Sequence, residues 1–85
     1  MDLKIATFNV NSISERVKRI AVISFLESVK ADIIMVQETH NRPHQEKSWQ
    51  KEWKRGQALF NSNAENENTA GVAFLINSPR LYMGE

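Results

Sequence analysis

The sequence has no cysteine, two prolines, three glycines and a single tyrosine. Without cysteine there is neither a disulfide framework nor a thiolate metal site, so only carboxylates, amide oxygens and two histidines remain to hold a cation. A cation held by such a set is a hard one. A long apolar run is also missing. The longest, residues 20–26, is broken by Ser24 and falls far short of the ~20 residues a membrane span needs. The amino terminus, Met-Asp-Leu-Lys, has an acid at its second position and no apolar stretch behind it, unlike a secretory signal. These absences set the expectation of a soluble, intracellular protein in a reducing compartment, with no membrane partner.

An excess of one charge is absent too. Eleven Lys and Arg stand against ten Asp and Glu, a formal net charge of +1, so only the distribution of charge bears on a polyanionic partner. With 85 residues, 41% of them hydrophobic, the chain makes one domain at most. A chain of this size buries little more than about 60% of its unfolded surface, so its core is small and nothing covalent staples it.

What is present is pattern. In residues 3–10, Leu3, Ile5, Thr7 and Asn9 alternate with Lys4, Ala6, Phe8 and Val10, which predicts a first strand. Ser12 and Glu15 have the spacing of a capping box, predicting a helix over 13–30. Its apolar residues fall in two stripes, Ile13, Val17 and Ile20, then Val22, Phe25, Leu26 and Val29. Ala31-Asp32 makes a tight connector, and 33–36 is an apolar run typical of a strand covered on both faces. Strand, helix and strand form a βαβ unit with an expected right-handed crossover. Residues 42–55 are polar and carry Trp49 and Trp53 four positions apart, on one face of a second helix. A short strand is expected at 58–61, a solvated turn at 61–69 and a last strand at 71–76. Pro79 ends that strand, and 81–85 reads as the opening of another element.

The polar residues to weigh close the first two strands: Asn9 and Asn11 on one, Gln37, Glu38, Thr39 and His40 on the other. In an open α/β sheet this edge binds ligands, because strands fix their last side chains there. If the strands are neighbours, the Asn9 amide and Glu38 carboxylate come close enough to share a magnesium ion, which takes one or two carboxylates and keeps several waters. The plainer alternative makes Asn9 and Asn11 turn formers, Ser12 a cap and Glu38 a solvated acid. His40 and His44 have the spacing to chelate a transition metal on a helix, but Pro43 argues against a helix there. Arg42, Lys47, Lys51, Lys54 and Arg55 against Glu46 and Glu52 give a local balance of +3. With two interleaved tryptophans the segment suits phosphate contacts and base stacking, or equally two core tryptophans beneath solvated lysines.

Three segments, Lys4-Ile-Ala-Thr-Phe-Asn-Val-Asn-Ser12, Ala31-Asp-Ile-Ile-Met-Val-Gln-Glu-Thr-His40 and Gly71-Val-Ala-Phe-Leu-Ile76, resemble the opening of the endonuclease/exonuclease/phosphatase superfamily. The Gln-Glu-Thr-His ending and the Trp-rich basic stretch look most like the apurinic-type endonuclease domain of non-LTR (LINE) retrotransposons. The likeness runs over residues 3–77. It implies an α/β fold, a four-layer αββα sandwich of which residues 1–85 supply the amino-terminal portion. It also implies Mg2+, or Mn2+ in its place, with DNA as substrate and partner. Carried over, Glu38 is the metal-binding glutamate and Asn9 the asparagine lining the same catalytic site. Asn11 stands where relatives have an acid or Asn near the metal, followed by Gly where this chain has Ser12. Phe8 replaces a Trp common among repair enzymes. His40 matches the retrotransposon signature, where many repair enzymes carry Lys, and with Lys51 and Lys54 it is a candidate DNA contact.

The family's later residues are not in this sequence: a Tyr, an Asp-x-Asn pair that positions the attacking water, and an Asp-His pair near the scissile phosphate. Tyr82 lies too early for the first of these roles. The resemblance therefore implies a Mg-dependent DNA-nicking domain that is inactive on its own. In a full-length protein a reverse transcriptase domain would follow, and a nuclear location would suit that role. An abasic-site repair nuclease is the alternative within the family, with a phosphatase of small esters behind it. A non-catalytic remnant or nucleic-acid-binding piece is the alternative outside it.

Overall fold

Alternation along the strands decides which way each face points, and the computed structural model, which describes residues 3–62 and 71–77, follows it closely. Strand β1 (Ile5–Asn9) leads to helix α1 (Arg16–Glu27), strand β2 (Ile33–Gln37), a 3-10 turn (Pro43–Gln45), helix α2 (Glu46–Gln50), β3 (Ala58–Asn61) and β4 (Val72–Ile76). The strands form one sheet in the order β1-β2-β4-β3. β1 and β2 run parallel, with Ile5 opposite Ile33 and Asn9 opposite Gln37. β4 is antiparallel to both its neighbours. The architecture is mixed α/β, as expected, and its arrangement is consistent with the amino-terminal part of the resembled sandwich.

One face of the sheet presents Ile34, Val36, Ala73, Leu75, Ala58 and Phe60 to a core completed by Ile13, Ile23 and Leu26 from the α1 side and by Trp49 and Trp53. Phe8 reaches Phe25 edge-to-face, 5.6 Å between ring centroids, and covers the edge strand on this side. The opposite face keeps Ile5, Leu59, Val72 and Phe74 exposed. No helix among the described residues is long and apolar enough to cross a membrane.

Two local expectations need correction. The capping box at Ser12 and Glu15 does not form. Glu15 is itself the N-cap, its Oε2 accepting from the Lys18 N–H at 2.7 Å, so α1 starts later than residue 13. Ser12 is held instead at φ 73°, where its N–H donates to the Glu38 carbonyl. The long Trp helix over 42–55 is also replaced, by a 3-10 turn opening at Pro43 and a single short α2. Two of its side chains leave the segment to cap β3: Gln50 Oε1 accepts from the Phe60 N–H, and Glu46 Oε2 from the Ser62 N–H. The expected turn over 61–69 lies outside the described residues beyond Ser62, as do Pro79, Tyr82 and the element expected at 81–85.

Arg19 ties the two helical segments together. Its guanidinium donates to both Glu52 carboxylate oxygens, at 2.8 and 3.2 Å, and to the carbonyls of Ile13 and Ser14. It also stacks 4.6 Å over the Trp49 ring, a cation–π contact on the buried side.

Candidate metal and phosphate edge

Parallel pairing does not stop where β1 and β2 end. The Val10 N–H donates to Gln37 O at 3.1 Å, Ser12 N–H to Glu38 O at 2.6 Å and Ile13 N–H to Thr39 O at 3.1 Å, so the two loops leave the sheet side by side. To keep this pairing, Asn11, Ser12, Glu38 and His40 take left-handed backbone angles, with φ of 51°, 73°, 58° and 57°. Such angles cost a non-glycine residue about 1 kcal/mol or more and persist only where the surroundings over-determine them. Glycine adopts φ near 73° freely, so the resembled family's Gly at the Ser12 position has a conformational reason.

This frame brings Asn9 and Glu38 together. Asn9 Nδ2 donates to Glu38 Oε2 at 2.5 Å, while Asn9 Oδ1 accepts from the Asn11 N–H at 3.0 Å. The Asn9 amide is thus fixed at both ends and aims one carboxylate oxygen. The other, Oε1, lies 3.8 Å from His40 Nε2, and the Glu38 side chain is 46% exposed. Lys18, on the first turn of α1, donates from Nζ to the Asn11 carbonyl at 2.8 Å, bringing a positive charge to the same rim.

The donor set fits a hard divalent ion. Among the described residues no three His, Cys, Asp or Glu side chains are grouped to hold a metal, and His40 precedes the 3-10 turn that holds His44, so no helix sets the two at chelating spacing. One aimed, half-exposed carboxylate is the kind of hard oxygen ligand a divalent cation takes.

The basic segment lies elsewhere. Trp49 and Trp53 are 3% and 4% exposed, so neither is available to stack on a base. Trp53 donates its indole N–H to the Ile76 carbonyl, and Ile76 pairs with Ile33 at the start of β2. Lys51 and Lys54 are exposed, Lys51 lining a surface hollow with Gly56, Gln57 and Ala58 at the start of β3 and Lys54 one with Ile23 and Glu27 of α1, both away from Glu38. His40 is the one candidate DNA contact that shares the Glu38 edge.

The sequence marks Thr39 only as a strand-end residue and Gly71 only as the start of a strand, and neither pattern shows their support of this edge. Thr39 is 0% exposed, and its Oγ1 donates to Asn41 Oδ1 at 2.6 Å. The Thr39 N–H donates to the Gly71 carbonyl at 3.2 Å. Gly71 has φ +86°, and a Cβ there would stand 2.7 Å from Thr39 Oγ1. The available signal was a glycine directly before an apolar strand.

Comparison with known proteins adds two findings. The profile of the Endonuclease/Exonuclease/phosphatase family matches residues 6–84. The chain is also 39% identical over 61 residues to "Transposon TX1 uncharacterized 149 kDa protein" of Xenopus laevis, an alignment covering 72% of this chain and 5% of that protein.

Proposed function

Because the chain belongs to the endonuclease/exonuclease/phosphatase family, we propose that its Asn9–Glu38 edge is the cation-holding half of a phosphodiesterase site that nicks DNA, a retrotransposon-type role that the likeness to a transposon protein supports. The observation that carries this reading is the bond from Asn9 Nδ2 to Glu38 Oε2, formed at the ends of two paired parallel strands. A divalent ion held there would supply positive charge to stabilise the charge that develops on phosphate oxygens. Glu38 would hold it through the carboxylate, whose direction Asn9 fixes. Asn11 holds the Asn9 amide through its own N–H, lining the site with backbone. His40, beside Oε1, offers an imidazole donor to a non-bridging phosphate oxygen.

Strand scission also needs a group that orients or deprotonates the attacking water. The sequence contains neither an Asp-x-Asn nor an Asp-His pair for this half of the chemistry. This reading further implies a reverse transcriptase domain on the same full-length chain and a nuclear location.

The test is plasmid nicking in Mg2+. The 85-residue chain should leave supercoiled plasmid intact, whereas a chain extended through the later residues should nick it. Glu38→Gln in the extended chain should cost several kcal/mol of transition-state stabilisation, or at least about a hundredfold in rate. Undiminished nicking by the extended Glu38→Gln variant would refute the assignment.

A further inference from the structure

The residues beneath Glu38 form a closed unit whose parts come from three places in the chain. Thr39 is gripped from both sides: its N–H donates to Gly71 O at the mouth of β4, and its carbonyl accepts from Ile13 N–H in the loop after β1. Its hydroxyl is spent on Asn41, which is itself 3% exposed. The unit fits only a glycine at position 71, since a Cβ there would meet Thr39 Oγ1 at 2.7 Å, Asn41 Oδ1 at 2.8 Å and the His40 nitrogen at 3.1 Å. On the other side of Glu38, Gln37 is held in the sheet opposite Asn9 and Val72.

We propose that Gly71, Thr39 and Asn41 are positioning residues for the Glu38 carboxylate. With Gln37 fixed by the sheet and Thr39 fixed by the unit, the peptide groups on both sides of Glu38 have no freedom left. The residue is forced to φ 58°, and its side chain leaves the backbone where Asn9 can meet it. The unit touches neither substrate nor ion. Its effect is on how well the carboxylate is aimed before either arrives, the part that groups behind a metal ligand commonly play. The proposal rests on the reading of Glu38 as the cation-holding residue, and its test separates the two.

Manganese binding to the 85-residue chain, read as loss of the free-ion electron paramagnetic resonance signal, is measured for wild type, Thr39→Val, Thr39→Ser, Gly71→Ala and Glu38→Gln. Thermal unfolding followed by tryptophan emission runs alongside. Thr39→Val keeps shape but removes the donor to Asn41 and should raise the Mn2+ dissociation constant about tenfold or more at temperatures where it is folded. Thr39→Ser, which keeps the hydroxyl, should restore affinity close to wild type. Gly71→Ala should exceed Thr39→Val in effect; if it fails to fold, the valine and serine pair carries the test. In metal-free buffer, amide exchange of Ser12, whose N–H donates to Glu38 O, should quicken in Thr39→Val more than exchange within α1.

A Thr39→Val chain that melts earlier yet binds Mn2+ as wild type does, with Ser12 exchange unchanged, would make Thr39 merely structural and overturn the proposal. Mn2+ binding that survives Glu38→Gln would instead remove the cation reading, and with it the purpose of the positioning unit.

Discussion

Replacing Arg19 with methionine keeps the aliphatic stem that α1 packs and removes only the guanidinium. Three losses follow. The two-pronged pair with Glu52 disappears, and hydrogen bonds to a charged partner contribute about 1.5–3 kcal/mol. Stacking over Trp49 goes, worth about 1 kcal/mol in a partly desolvated setting. The carbonyls of Ile13 and Ser14 lose a donor. Against this, the Glu52 side chain is 31% exposed and recovers hydration once unpaired, so the low end of the charged-bond range applies. The expected loss is about 2–3 kcal/mol, out of the 4–13 or so that a chain this size has in total. Urea unfolding at low micromolar protein, followed by tryptophan emission, reads it directly. A cycle with Glu52→Gln and the double variant should show about 1 kcal/mol or more of coupling. A loss below about 0.5 kcal/mol, or strict additivity in the cycle, would show that the pair is a surface contact and that the Trp segment docks by apolar packing alone.

Other expectations follow from the same geometry. The exposed face carrying Ile5, Leu59, Val72 and Phe74 should drive self-association of the isolated chain. Sedimentation velocity should show larger species growing with concentration and shrinking in a Leu59→Lys, Phe74→Lys variant; a wild-type monomer at high concentration would contradict this. Trp49 and Trp53 should emit at short wavelength, resist iodide quenching and ignore added oligonucleotide. An emission change on binding single-stranded DNA that tracks its length would put an indole at the nucleic acid after all. Neutralising Lys51 and Lys54 should leave the salt dependence of DNA binding unchanged if DNA lies along the Glu38 edge, because these lysines lie away from it. A shallower salt slope in that variant would extend the footprint across the molecule.

The parts of the fold that could be read in the sequence are those decided by neighbours along the chain. Strands 33–36, 58–61 and 71–76 announce themselves by apolar character, and Asn9 and Glu38 by falling just where strands end. What could not be read depends on partners distant in sequence. Ser12 has the chemistry of an N-cap, but a bond to the Glu38 carbonyl holds it left-handed, and no local pattern shows that bond. Trp49 and Trp53 have helical spacing, yet Gln50 and Glu46 turn their side chains to β3 and the helix stops. The insertion of β4 between β2 and β3, and with it the role of Gly71, is a matter of long-range pairing.

That insertion also fixes an order of events. β1, α1 and β2 are consecutive and can dock on one another as soon as they exist, but β2 gains its second neighbour only when β4, far along the chain, arrives antiparallel beside it. Closing so long a loop costs entropy before any contact rewards it, so this pairing forms late. Since Thr39 is locked by Gly71, the left-handed turn at Glu38 belongs to that late step. During synthesis, the nascent chain would carry its acidic residue unaimed until β4 clears the ribosome, and only then would the edge acquire a fixed shape.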